Sequence, residues 1–162
     1  MKIGIMGSHG TGKTTLALRL AAEMKQREPG KTVSMVAETA RNCPWPINKA
    51  TTEEAQRWIF LEKMRQELEA SRSADIVVCD RTVLDNLAYA ERAGLFHLVM
   101  DFFHGAIRWM KTNYDRIHFL RPAGVPIAAD GFRDTDPDFQ AEIDVILCRW
   151  VARYEIPITP VE

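Results

Sequence analysis

Apolar residues along the chain follow two patterns, and each predicts one kind of element. Short runs rich in Ile and Val predict strands, and longer stretches with an apolar residue every three or four positions predict amphipathic helices. The predicted strands are residues 2–6, 31–37, 75–79, 116–120 and 156–159. The third contains Ile76, Val77 and Val78 in succession, which indicates a strand buried on both faces, as in a parallel sheet.

Helical patterns fill the segments between the predicted strands. Their bounds are 14–27, 51–71, 82–92, 95–112 and 137–154. Thr51 and Glu54 form a capping-box pattern at the start of the second helix, and Asp136 before Pro137 is typical of a helix start. Because strands alternate with helices, we predict a three-layer α/β fold in which helices flank about five mostly parallel strands.

Composition and charge fit one globular domain spanning residues 1–162. The chain is 46% hydrophobic and 27% charged, which is the balance of a folded rather than a disordered protein. Its 21 Lys and Arg residues nearly equal its 22 Asp and Glu residues, whereas proteins that bind duplex DNA are usually much more basic. The charge balance therefore argues against nucleic acid as a partner.

Neither a secretory signal nor a membrane span is expected from the apolar segments, because each is too short or interrupted by charges. Cys43, Cys79 and Cys148 are too scattered for a disulfide framework or a zinc site. We therefore expect a cytoplasmic protein with no membrane partner. The oligomeric state stays open, and a homodimer is one of the alternatives.

The strongest chemical signal lies between the first strand and the first helix. Residues 7–14 read Gly-Ser-His-Gly-Thr-Gly-Lys-Thr, a full match to the Walker A pattern of a phosphate-binding loop, or P-loop. Glycines let backbone N–H groups turn toward an anion, and the helix start adds its positive end. Lys13 would reach the β- and γ-phosphates of ATP, and the Thr14 hydroxyl would bind Mg²⁺. The predicted nucleotide-binding residues are Ser8, His9, Gly10, Thr11, Gly12, Lys13, Thr14 and Thr15.

A carboxylate for the metal is expected at the end of another strand. Asp80 directly follows the apolar third strand, on the side of a parallel sheet where ligands bind. We predict that Asp80 joins Thr14 at the magnesium site. Asp80 could also cap the next helix, and the two roles are compatible.

Three further segments resemble P-loop kinases that act on nucleosides and nucleotides. Asp80-Arg81-Thr82 resembles the Asp-Arg-[Ser/Thr/Tyr] motif of thymidylate and deoxynucleoside kinases. Glu38 and Arg41 resemble the acid and arginine that meet the acceptor there. The segment 130–133, Asp-Gly-Phe-Arg, resembles the Asp-Gly-x-Arg segment of ribosylnicotinamide kinase domains and their small P-loop relatives. The resemblance covers nearly the whole chain, and it implies a P-loop fold and transfer of phosphate from ATP.

The acceptor side of such a reaction can be assigned provisionally to charged residues. Glu38 would accept the proton of the acceptor hydroxyl or fix its orientation; the alternative is a surface glutamate. Arg41 and Arg81 would contact a substrate phosphate or sugar, with solvated surface charges as the alternative. Asp130 would either hold the acceptor or only form a turn with Gly131. The predicted catalytic residues are thus Lys13, Glu38 and a lid arginine, Arg133, with Arg121 as the second choice for the lid.

Two aromatic residues and one amide complete the predicted acceptor side. Trp45, between two prolines, either stacks on a ring or fills the core. Gln56 and Trp58, on the second helix, are candidates to face the acceptor. For Trp58 the alternative is a place in the core. The second strand ends in Ala-Glu-Thr-Ala-Arg rather than the Arg-Glu-Pro of thymidylate kinases, so the acceptor is not identified.

Three functions compete at this point. The leading hypothesis is a kinase for a small nucleoside, nucleotide or nucleoside-like acceptor. A nucleotide-hydrolysing regulatory module and a polynucleotide 5′-kinase are the alternatives. A GTPase is disfavoured because residues 48–51, Asn-Lys-Ala-Thr, lack the final Asp of Asn-Lys-x-Asp, and an oligomeric AAA-type ATPase would need a larger helical lid domain.

Overall fold

A four-stranded parallel sheet forms the centre of the molecule. The computed structural model describes residues 1–124, 127 and 134–161. In these residues the strands are β1, Lys2–Met6; β2, Val33–Val36; β3, Ile76–Asp80; and β4, Arg116–Phe119. Their order across the sheet is β2-β3-β1-β4, and each pairing is parallel. The α/β architecture predicted from the sequence is confirmed.

Helices cover both faces of the sheet. They are α1, Lys13–Arg27; α2, Glu53–Ser73; α3, Val83–Arg92; α4, Phe96–Asn113; and α5, Pro137–Arg153. Short 3₁₀ turns lie at Thr39–Asn42 and Asn48–Ala50. One buried cluster joins α1 to the side chains of Ile3, Ile5 and Val78, and a larger one joins the opposite face to the other helices. These are the three predicted layers.

The predicted fifth strand at 156–159 is wrong. This segment does lie beside β4, because the Thr159 N–H donates to the Ile117 carbonyl oxygen at 2.7 Å. Pro157 and Pro160 flank that contact, and proline has no N–H with which to continue a ladder. The described part of the chain therefore forms four strands rather than about five.

The capping box also lies elsewhere than predicted. The N-cap of α2 is Thr52, whose side chain accepts from the Ala55 N–H at 3.3 Å, because Thr51 instead accepts from the Gln56 amide at 2.7 Å. The second helix thus begins slightly later than its sequence pattern indicated. A buried capping box is found instead at the start of α3, where Asp85 accepts from both the N–H and the hydroxyl of Thr82 at 2.7 Å.

The topology brings three segments to one edge of the sheet. β1 and β3 are adjacent, with Ile5 opposite Asp80, and β2 lies on the other side of β3. Carboxyl ends of parallel strands meet at the same edge, which is where α/β proteins bind ligands. None of the helices in the described part of the chain combines the length and apolar character needed to cross a bilayer.

Candidate functional site

The loop between β1 and α1 has the shape of an anion cradle. Gly7, Gly10 and Gly12 have φ angles of 144°, 72° and 83°, in the region that favours glycine. A Cβ atom on Gly7 would overlap the carbonyl oxygen of Leu120, so a side chain cannot fit there. Gly12 caps α1, and the first N–H groups of that helix therefore face the loop.

Lys13 is buried at the centre of this loop. Its side chain donates to the Ser8 carbonyl oxygen and to the Thr11 hydroxyl, the latter at 3.2 Å. Burial and the positive charge of Arg81 lower the pKa of Lys13 to about 7, although nearby carboxylates oppose the shift. A polyphosphate in the cradle would favour the protonated ammonium, because opposite charges stabilise each other in a buried site.

Thr14 and Asp80 meet as the sequence predicted for a metal site. The Thr14 hydroxyl donates to Asp80 Oδ2 at 2.6 Å, and Asp80 is buried. A hydroxyl and a carboxylate are hard oxygen ligands, and Mg²⁺ is commonly bound by such groups together with substrate phosphates. The residues present therefore fit the ion. Asp80 does not cap the next helix, since the N-cap of α3 is Thr82.

Glu38 is buried just after β2 and forms ion pairs with two arginines. Its Oε1 accepts from Arg81 Nε at 2.5 Å, and its Oε2 accepts from Arg41 Nε at 3.1 Å. Burial alone would raise the pKa of Glu38, but Arg81, Lys13 and Arg41 together lower it to about 2. The alternative of a surface glutamate is therefore excluded, and the side chain is a carboxylate at physiological pH.

Arg81 has an unusual backbone and a buried guanidinium group. Its φ angle is 71°, a left-handed conformation that is uncommon for a residue with a side chain. The guanidinium carbon lies 5.4 Å from the centre of the Tyr89 ring. One terminal nitrogen, Nη1, is buried and has no hydrogen-bond partner, so it is a donor that a ligand could satisfy.

A cleft opens beside the cradle. A smaller depression lies over the cradle itself, between Gly10–Thr14 and Asp80. Both are bordered by Glu38 and Arg81, so these two side chains stand where the cleft meets the phosphate loop. The cleft is lined by Glu38, Thr39, Ala40, Ile47, Asn48, Gln56, Ile59, Lys63, Arg81, Thr82, Asn86 and Tyr89.

Several lining residues were not found from the sequence. Lys63, Asn86 and Tyr89 lie within helical patterns that contain many polar positions, and nothing local distinguishes a residue that faces a cleft. Gln56, by contrast, was expected to face the acceptor, and it does line the cleft. Its Nε2 donates to Thr51, and its buried Oε1 has no hydrogen-bond partner.

Other predicted residues lie away from the cleft. Arg121 makes a two-pronged ion pair with Asp144, with its Nε 2.8 Å from both carboxylate oxygens. Trp45 is 41% exposed, so it does not fill the core, and Trp58 is half-buried but does not line the cleft. Thr15 is exposed on the first turn of α1.

The remaining predicted site residues are His9, Asp130 and Arg133. His9 is packed into the structure: its Nδ1 lies 3.1 Å from the Tyr89 hydroxyl, and Gln140 donates to its carbonyl oxygen at 2.6 Å. These contacts join the loop to α3 and α5, and His9 does not line the cleft. Asp130 and Arg133 lie outside the described residues, so their predicted roles stay predictions.

Comparison with solved structures places the fold. A deoxyadenosine kinase from M. mycoides, with the products dCMP and dCDP bound, has a TM-score of 0.67 at 16% identity, covering 100% of this chain and 90% of that chain. A thymidylate kinase from Ehrlichia chaffeensis has a TM-score of 0.65 at 14% identity, covering 99% and 86%. At these identities the similarity shows the fold alone, that of P-loop nucleoside and nucleotide kinases.

Comparison with sequences gives the family. No curated protein matches this sequence. The family described as the AAA domain matches residues 2–162, and the match does not test our expectation that the chain is not an oligomeric AAA-type ATPase. Since the match covers nearly the entire chain and the P-loop stands at its start, the protein belongs to the AAA domain family, with the fold of the P-loop kinases.

Proposed function

We propose that the protein is an ATP- and Mg²⁺-dependent kinase that phosphorylates a hydroxyl group of a small nucleoside, nucleotide or nucleoside-like acceptor. The observation that carries the proposal is the junction of two sites. A phosphate cradle and an adjoining cleft share one border, formed by Glu38 and Arg81. Phosphoryl transfer depends mainly on positioning and charge neutralisation, and this arrangement supplies both.

The donor side is the cradle. Loop N–H groups and the Lys13 ammonium would bind the β- and γ-phosphates, while Thr14 and Asp80 would hold the metal ion. Mg²⁺ bound there would neutralise charge on those phosphates. The bond between the γ-phosphorus and the oxygen bridging to the β-phosphate breaks as the new bond to the acceptor oxygen forms, and ADP leaves.

The acceptor side depends on Glu38 and Arg81. A carboxylate with a pKa of about 2 is a weak base, which favours orientation of the acceptor hydroxyl over early removal of its proton. In the loose transition state of phosphoryl transfer the proton can leave late, and it would then pass to Glu38 or to solvent. Arg81 Nη1 would donate to an oxygen of the transferred group, where a fixed positive charge lowers the barrier.

The walls of the cleft suit a flat, partly polar ring. Ile47, Ile59 and Tyr89 supply apolar surface, and the amides of Gln56 and Asn86 supply hydrogen-bonding groups. A nucleobase has an apolar face and a polar edge, so a nucleoside fits this combination. The similarly folded proteins are named deoxyadenosine and thymidylate kinases, which supports the same acceptor class for this chain.

We further propose Arg133 rather than Arg121 as the lid arginine. The two-pronged pair with Asp144 holds Arg121 away from the transferred group, and breaking it would cost interaction energy at each turnover. Asp130 remains our proposed contact for the acceptor.

ATP turnover with a panel of acceptors tests the proposal. ADP release is measured with each nucleoside, each nucleoside monophosphate, a 5′-hydroxyl oligonucleotide and no acceptor, and Lys13→Ala is the control. We expect ADP release to rise strongly with one class of small acceptor. Stimulation by the oligonucleotide alone would indicate a polynucleotide kinase, and hydrolysis unaffected by every acceptor would indicate a regulatory module.

A further inference from the structure

Arg81 is held in its left-handed conformation by contacts on both of its peptide bonds. Such a backbone conformation is unfavourable for a residue with a side chain and persists only where the surrounding structure imposes it. The carbonyl before Arg81 belongs to Asp80, and the N–H after it belongs to Thr82. Each of these two groups is bonded to a buried, ionisable side chain from a different helix.

Lys63 holds the first of these groups. It lies in the middle of α2, is 3% exposed, and donates from Nζ to the Asp80 carbonyl oxygen at 2.8 Å. A lysine is rarely buried to this extent unless a partner compensates its charge. Here the bonded partner is a single backbone oxygen, so the ammonium is directed at the peptide that joins Asp80 to Arg81.

Asp85 holds the second group. It is 1% exposed, and its Oδ2 accepts from the Thr82 N–H at 2.7 Å. Its other oxygen accepts from the Gly7 N–H at 2.7 Å, which joins α3 to the first residue of the phosphate loop. The backbone of Arg81 is thus clamped between a cation and an anion.

The side chains on either side of the clamped peptide are those that the proposed reaction uses. Asp80 reaches Thr14 at 2.6 Å, and Arg81 reaches Glu38 at 2.5 Å. A rotation of the peptide between them would move a carboxylate and a guanidinium group together. Since both contacts depend on one peptide orientation, a residue that fixes the orientation acts on both ends of the site.

We propose that Lys63 is a positioning residue that fixes the Asp80–Arg81 peptide, so that Asp80 meets the metal site and Arg81 meets the acceptor site. The part of the inference that concerns Arg81 and the acceptor rests on the proposed kinase function. The part that concerns Asp80 and the metal rests on the contact between Thr14 and Asp80. Lys63 acts through these two residues. It also borders the cleft, so a direct contact with the acceptor is the competing explanation.

Lys63→Met tests the proposal, because it keeps the length and apolar stem of the side chain and removes the ammonium. We expect kcat to fall by about tenfold or more, a usual scale for removing a residue that orients a functional group. The KM for the acceptor should change little. Lys63→Arg, which keeps a donor, should recover part of kcat.

A second measurement is independent of transfer. The ratio of ATP affinities with and without Mg²⁺, obtained by calorimetry, should shrink in Lys63→Met because Asp80 no longer meets Thr14. Glu67→Gln is the matched control: Glu67 is fully buried on the same helix but bonds to Tyr114 and Trp109. This control should lower Tm and leave both kcat and the Mg²⁺ ratio near the wild-type values.

Three results would overturn the positioning role. A lowered Tm with unchanged kcat and Mg²⁺ ratio would make Lys63 merely structural, and a rise in the acceptor KM alone would make it a ligand contact. If Lys63→Met does not fold, Lys63→Leu, which also lacks a donor, takes the same measurements, and wild-type values there contradict the proposal. If the wild-type protein phosphorylates no acceptor, the proposed function fails. The ratio of ATP affinities with and without Mg²⁺ then still tests whether Lys63 positions Asp80 at the metal site.

Discussion

Two buried residues of opposite charge lie at the candidate site. Lys13 is buried with a pKa lowered to about 7, and Glu38 is buried with a pKa lowered to about 2. They differ in what they face: Lys13 lies within the phosphate loop, whereas Glu38 lies where the loop meets the cleft. Substitutions at the two positions should therefore affect different steps.

Lys13→Ala should abolish ATP turnover and leave the protein folded. In the proposed complex with ATP the ammonium would neutralise phosphate charge, and its removal opens no part of the apolar core. Circular dichroism and the turnover assay together check this result. Turnover near the wild-type rate would show that the loop does not bind the reacting phosphates.

The lowered pKa of Lys13 also predicts how stability depends on pH. Between pH 7 and 10.5 the unfolded chain holds a proton on this side chain that the folded protein has lost, so the free energy of unfolding should rise with pH. Below about pH 7 both states are protonated and this contribution is constant. Urea unfolding of the free protein and of Lys13→Met should diverge across that window, and parallel curves would contradict a buried Lys13.

Glu38→Gln should slow acceptor-dependent transfer by about a hundredfold or more, the scale expected when a reacting group loses the contact that orients it. Affinity for ATP should barely change, because Glu38 stands at the border of the cleft. Steady-state kinetics with the acceptor varied, and calorimetry with ATP alone, separate the two effects. Weaker ATP binding with unchanged transfer would move Glu38 to the nucleotide side.

At the scale of elements, the turn from β1 into α1 depends on Gly7. Gly7→Ala should destabilise the protein by about 1–3 kcal/mol, because its φ of 144° is strained for alanine and the added Cβ would overlap Leu120. Gly30→Ala is the control, since a Cβ there meets open space. Urea unfolding compares the two, and an equal, small change would contradict the tight turn.

The elements themselves were largely predictable, whereas the cleft was not. Hydrophobic periodicity predicted each described helix and the four strands, because burial of one face repeats at a fixed spacing. The segment 156–159 was mispredicted because its apolar residues resemble a strand, while Pro157 within it and Pro160 after it prevent one. Lys63, Asn86 and Tyr89 could not be found because their role depends on which helices pack together, a property of tertiary structure that the local pattern does not contain.

The phosphate loop and Asp80 were predictable for a different reason. The spacing of the loop residues between β1 and α1 determines the geometry of the loop. Asp80 ends β3, which lies next to β1 in the parallel sheet, and this adjacency brings Asp80 to Thr14. Glu38 was also found at the expected edge of the sheet. Its pairing with two arginines, however, depends on the fold of the turn after β2, and sequence reasoning had left the proton-accepting role open.

At the scale of the whole molecule, ligand binding should raise stability. ATP with Mg²⁺ is expected to raise Tm, because a ligand that binds only the folded state at a hundred times its Kd stabilises it by about 2.7 kcal/mol. The shift should shrink when EDTA removes the metal, and Lys13→Ala should show little shift. Absence of a shift with millimolar ATP would mean that the cradle does not bind the nucleotide.

The most direct test of the account follows the γ-phosphate itself. Labelled ATP is incubated with the wild-type protein, Mg²⁺ and the acceptor that most stimulates ADP release, and the label is traced to acceptor or to free phosphate. Because the cleft and the cradle meet at Glu38 and Arg81, we predict that the label appears on the acceptor in equal amount to ADP. Label found only as free phosphate, at the same rate of ADP release, would contradict a kinase and leave a nucleotide-hydrolysing module.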